Sequence, residues 1–102
     1  MDISSLMNQV QQAQDKMKKI QDELSNKTVT GASGGGMVTV TVSGKQEILS
    51  LSIEKEIIDA NEKKMLEDLI LSAVNDGLHK ARELGQGEMS KLTGGLKIPG
   101  LF

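Results

Sequence analysis

Residues 28–53 read TVTGASGGGMVTVTVSGKQEILSLSI, and the alternation within them decides the fold. Val38, Val40 and Val42 alternate with Thr39 and Thr41, and Leu49, Leu51 and Ile53 alternate with Ser50 and Ser52. A period of two places each apolar set on one face of a half-buried strand, and β-branched residues suit the pleat. Ser43-Gly44-Lys45-Gln46 makes a hairpin turn between the two runs. Thr28-Val29-Thr30 adds a third strand, joined through Gly31-Ala32-Ser33-Gly34-Gly35-Gly36. The expectation is an antiparallel meander over residues 28–53, with one greasy face and one Thr/Ser face.

On both sides of this block the period changes. Ile3, Val10, Met17 and Leu24 fall seven apart over residues 1–27, and Leu6, Ala13 and Ile20 fill the second series. This a/d seam is narrower than the stripe of a helix lying on its own core, which favours packing against a partner helix. Asp2 is placed to cap the helix. After a connector over residues 54–60, a second helix is expected over residues 61–92, its apolar residues climbing in steps of three and four from Met65 to Leu84. Ala73, Gly77, Ala81 and Gly85 stand four apart and form a ridge of small residues. Glycine in a helix interior costs about 1 kcal/mol relative to alanine, so the ridge calls for a close-packed neighbour; fraying or kinking at Gly85 and Gly87 is the alternative for the distal half. Gly94-Gly95 and Pro99 end the helix and leave a tail over residues 93–102.

A chain of 102 residues makes one domain with a thin core, and its only aromatic residue is Phe102. The helices reach roughly 37 and 45 Å, whereas a compact chain of this size has a radius of gyration of about 13 Å. Helix ends that carry apolar seams must then project beyond the globule, which argues for a dimer. The interface is expected at Ala73, Gly77, Leu78 and Ala81 on the helix ridge and at Val38 and Val40 on the sheet. The N-terminus lacks a basic-then-apolar leader, and no apolar run is long enough to span a bilayer. A cytoplasmic protein with no membrane contact is therefore expected.

The inventory for catalysis is nearly empty. With no cysteine and His79 as the single histidine, no nucleophile–base pair or zinc set can be assembled. His79 and Glu83 lie one helical turn apart, but two ligands do not make a metal site, and a surface histidine is expected. The GASGGG stretch lacks the Lys-Ser/Thr and the following helix of a phosphate loop. No enzyme activity, cofactor, metal or small-molecule substrate is expected.

Twelve basic and fourteen acidic residues leave a net charge of −2, so contact with a polyanion must rest on local patches. Lys16, Lys18, Lys19 and Lys27 belong to the first helix; Lys80, Arg82, Lys91 and Lys97 come late. The i,i+4 spacings Asp15–Lys19, Lys18–Asp22 and Lys19–Glu23 provide for mutual neutralisation. No aromatic side chain is placed to stack on bases, so contact with a duplex backbone is the mode to expect.

Three segments together resemble one family: Gly31 through Ile53 with its GMVTVTVSGKQEILSLSI core, LEDLILSAVNDGLHKARE at residues 66–83, and MSKLTGGLKIPGLF at residues 89–102. The chain resembles the YbaB/EbfC family of nucleoid-associated DNA-binding proteins over essentially its whole length. The resemblance implies an α+β fold of helix, sheet and helix. It also implies a homodimer with protruding, tweezer-like helices and binding to double-stranded DNA with relaxed sequence preference. It carries no sharp ligand motif. Lys16, Lys18, Lys19, Lys27, Lys80, Arg82 and Lys91 are accordingly the residues expected at DNA, with Lys45 in reserve. The rival expectation is a prefoldin-like chaperone or a dimeric scaffold, for which projecting seams and adaptable methionines are equally suited.

Overall fold

The computed structural model describes residues 2–93; apart from Thr93, the tail expected over 93–102, with Lys97, lies outside the described residues. The order is α1 (Ile3–Asn26), β1 (Thr28–Ser33), β2 (Val38–Ser43), β3 (Ile48–Ile53) and α2 (Lys63–Thr93). This is the α+β arrangement expected. Two short 3₁₀ turns, Lys55–Ile57 and Ala60–Glu62, make the connector, and the Asp59 carboxylate accepts from the Asn61 amide. Asp2 caps α1 by accepting from the Ser4 amide at 3.3 Å.

The three strands form an antiparallel meander in the order β1-β2-β3. Cross-strand pairing builds three rows on one face: Val29, Val42 and Ile48; Gly31, Val40 and Leu51; Ser33, Val38 and Ile53. The register slips between Thr41 and Val42, so Ile48 rather than Leu49 stands opposite Val42 and the strict alternation of β3 is broken. Val38, Val40 and Val42 are buried to 1% exposure or less and form the centre of the core. Each such side chain contributes about 1.5–3 kcal/mol on leaving water.

β1 is longer than the Thr-Val-Thr segment expected, because Gly31, Ala32 and Ser33 continue the strand. The glycine is required by what lies on top. A Cβ at Gly31 would meet the Gly77 amide nitrogen and the Ala73 carbonyl oxygen of α2. A Cβ at Gly77 would come within 2.8 Å of Cγ2 of both Val40 and Val42. The small-residue ridge therefore has its close neighbour within the chain. Ala73, Gly77, Ala81, Val38 and Val40 are buried against one another and leave no surface for a second copy, which corrects their expected place at a dimer interface. Leu78 alone of that set stays half-buried. The helix runs unbroken through Gly85 and Gly87, where an added Cβ would meet nothing within 4 Å, so these glycines neither break it nor mark a close approach.

The Ser43–Gln46 turn forms as expected, closed by Gln46 N donating to the Ser43 carbonyl at 2.9 Å, with Gln46 at a positive φ of 67°. Gly44 lies under the end of α1, its amide donating to the Lys27 carbonyl at 2.9 Å; a Cβ there would strike the Leu24 backbone. Only this end of α1 is packed: Leu24 is buried and Met17 and Ile20 are half-buried, while Ile3, Leu6 and Val10 are exposed. The radius of gyration is 19.4 Å, well above the roughly 13 Å of a compact chain this long.

Three glycines should separate close packing from helix propensity in urea titrations. Gly77→Ala should lose about 1–3 kcal/mol through overpacking against the valines. Gly31→Ala should lose more, because its neighbours are backbone and cannot rotate away. Gly87→Ala, in open space, should gain about 0.5–1 kcal/mol. A Gly31→Ala protein as stable as the parent would disprove the tight crossing.

Candidate nucleic-acid interface

The expected cations divide by what the fold places beside them. Lys27, at the exit of α1, pairs with Glu88 of α2 at 2.7 Å, and Lys91 reaches the same carboxylate at 3.4 Å. Lys80 pairs with Asp76 at 3.1 Å and also donates to the Thr30 carbonyl at 3.1 Å. These three lysines serve the fold, and their charge is largely offset. Lys16, Lys18, Lys19 and Arg82 are exposed and, among the described residues, form no ion pair within 4.0 Å. The i,i+4 neutralisation anticipated along α1 is not made. Lys45, on the hairpin turn, is exposed as well.

Two carboxylates that sequence reasoning passed over organise this division. Glu88 is buried to 5% exposure. The hydrogen bond from Lys27 holds its carboxyl below the usual range against the opposing effect of burial, and the charges of Lys27 and Lys91 assist. Lys27 is raised in turn, first by that hydrogen bond and then by the Glu88 charge. Asp76 accepts from the Ala32 amide at 3.0 Å, and this bond, with that from Lys80, lowers its pKa. Asp76 and Lys80 thus cap the N–H and C=O groups on the free side of β1, closing that edge to strand addition. The i,i+4 spacing of Asp76 and Lys80 was visible in the sequence; the strand they clamp was not. His79 is an exposed helical residue, 2.9 Å from Glu83, and among the described residues no group of three potential metal ligands comes together.

The free cations lie along a cleft. α1, the hairpin turn and α2 enclose a groove of about 860 Å³ whose walls include Met17, Ile20, Leu24, Arg82, Gly85 and Met89. Lys16 stands next to Met17 at its rim, and Lys19, three residues on, shares that flank of α1. Arg82 faces them from α2. The result is an apolar trough with cations on both walls, at the end of the molecule from which α1 projects.

An α+β protein with one sheet braced by a long helix, and a second helix projecting with exposed cations, is the class defined by this geometry. Comparison with known proteins makes the assignment: the YbaB/EbfC DNA-binding family matches over residues 1–96, and the chain belongs to that family. A nucleoid-associated protein of Syntrophobacter fumaroxidans is 52% identical over 95 residues, covering 93% of this chain and 86% of the relative. One from Desulfotalea psychrophila is 50% identical over 101 residues, covering 99% and 95%. Among solved structures, an uncharacterized protein of Helicobacter pylori superposes with a TM-score of 0.80 at 25% identity, over 90% of this chain and 97% of that one.

The Glu88 pair has a defined pH signature. A carboxyl depressed on folding contributes stability that is fully present above its unfolded pKa and lost as pH falls through its folded value; the raised Lys27 contributes below its own unfolded value and is lost at higher pH. The gap in melting temperature between the parent and Glu88→Gln should therefore be widest between about pH 5 and pH 10 and close in acid below about pH 4. A gap independent of pH would show that the charge of Glu88 plays no part.

Proposed function

We propose that the chain is a nucleoid-associated protein that binds double-stranded DNA as a homodimer, chiefly through backbone phosphates. The observation that carries the reading is the set Lys16, Lys18, Lys19 and Arg82, exposed and without carboxylate partners among the described residues, around a cleft between two projecting helices. Phosphate contacts of this kind position a protein without reading sequence. Family membership and the printed names of the relatives support DNA as the ligand. Among the described residues no helix is long and apolar enough to cross a membrane.

The dimer surface follows from what α2 leaves uncovered. α2 packs on β1 and β2, with Asp76 and Lys80 turned to the β1 edge. Ile70, Val74 and Leu78 lie round the helix on the opposite flank, toward β3, and are half-buried. Ile48 and Leu51 are 49% and 46% exposed, and among the described residues nothing pairs with the outer edge of β3. Rows of apolar residues beside an open strand edge form a surface that a second copy covers by two-fold symmetry. The interface expected from the sequence is thereby moved from the buried ridge to this strip, with Leu78 retained.

A second reading, a prefoldin-like holder of unfolded chains, draws on the exposed seam of Ile3, Leu6 and Val10 along α1. Suppression of light scattering by a denatured client, with no shift of duplex DNA, would favour it.

Leu51→Lys should convert the dimer to a folded monomer in sedimentation, with its circular dichroism retained; a persistent dimer would rule out the β3 strip. Binding to random duplex should have a shallow log–log salt dependence, about −3 to −6 per dimer, since each phosphate neutralised contributes about −0.9. Lys16→Glu with Lys19→Glu, or Arg82→Glu, should weaken binding to all duplexes alike, whereas Lys91→Glu should have a smaller effect. Absence of any shift at low salt would sink the DNA reading, and indifference to both charge reversals in folded protein would relocate the site.

A further inference from the structure

The groove between α1 and α2 has an apolar lining and, among the described residues, no segment that fills it. Its volume of about 860 Å³ lies in the range of cavities that enclose a small ligand or several side chains. Met17 and Ile20, which line it, are only half-buried, and Gly85 leaves its part of the wall open, with nothing within 4 Å of an added Cβ. Met89 and Ser90 form the end of the groove nearest the end of α2, and α2 ends at Thr93, one turn beyond. Nine residues of sequence follow, GGLKIPGLF, with four apolar side chains at Leu96, Ile98, Leu101 and Phe102.

We infer that this C-terminal segment turns back at Gly94-Gly95 and lodges Phe102 and its apolar neighbours in the groove between α1 and α2 of its own chain. Length permits it. From Leu96 to Phe102 an extended chain spans roughly 23–25 Å, and the groove from Ser90 back to Arg82 measures about 12 Å along the helix. Two adjacent glycines supply the freedom for a reversal directly after the helix. Chemistry favours it as well: methionine walls adapt to an aromatic ring and gain from sulfur–aromatic contact, and a buried ring removes more apolar surface from water than any other side chain of this sequence. The docked segment is a wedge that sets how far α1 and α2 diverge, and with it the spacing between Lys16 and Lys19 on one wall and Arg82 on the other.

Phe102 is the sole aromatic residue, so any ring-current displacement of a methyl resonance in this protein originates from it. The test is a methyl spectrum of the full-length chain, labelled at methionine, isoleucine and leucine, against Phe102→Leu. The Met17 and Met89 methyl signals should be displaced in the parent and return toward unperturbed positions in the variant, while those of Met7, Met37 and Met65, exposed and outside the groove, should hold still. Labelled parent mixed with excess unlabelled Phe102→Leu should keep the displacement. Gly85→Leu, which fills the groove, should move the aromatic signals of Phe102 to solvent-exposed positions. Groove methyls that ignore Phe102→Leu would overturn the inference. So would a displacement lost in the mixed sample, which would assign the groove to the tail of a second copy, or Phe102 signals unmoved by Gly85→Leu. None of these readouts involves DNA, so they stand or fall apart from the proposed function.

Discussion

The structure depends on one backbone crossing, in which Gly31 of β1 lies against Gly77 and Ala73 of α2. Two side-chain-free positions allow helix and strand to approach until the peptide groups touch. That closeness seats α2 over β1 and β2 and lets Val38, Val40 and Val42 fill the space beneath it. The helix-interior glycine loses about 1 kcal/mol in propensity, which the buried valines more than offset. With almost no aromatic area to draw on, a thin aliphatic core holds only if its layers are this close.

Seating α2 so far toward β1 has opposite effects on the two edges of the sheet. On the β1 side the helix brings Asp76 and Lys80 within reach of the strand's free amide and carbonyl and closes the edge. On the β3 side it leaves Ile48 and Leu51 half in water and the outer strand unpaired. One edge is sealed by polar side chains and the other is left greasy, so self-association is directed to a single surface.

The same economy governs charge. An acidic chain of net charge −2 presents its cations selectively: Lys27, Lys80 and Lys91 are held by Glu88 and Asp76, while Lys16, Lys18, Lys19 and Arg82 remain in solvent. Glu88 fastens the end of α1 to the distal half of α2 through Lys27, and so anchors the projecting helix whose outer turns have no other support. The family is thus served by local patches on helices, not by overall charge.

Much of this was legible in the residues. The period of two over 38–43 and 48–53, the heptad from Ile3 to Leu24 and the step of three and four after Met65 determine the element order, because they report which face each segment must bury. The Gly77 row was legible as a place of close approach, and Arg82 and the α1 lysines as free charges. What only the tertiary structure decided is who meets whom. The neighbour of the glycine row proved to be the chain's own sheet, because Gly31, read as linker, continues β1 beneath it. Lys27 is spent on Glu88 across a separation of 61 residues, a pairing no local spacing reveals. Periodicity states that a face is buried or a charge exposed; the identity of the partner is set by the path of the whole chain.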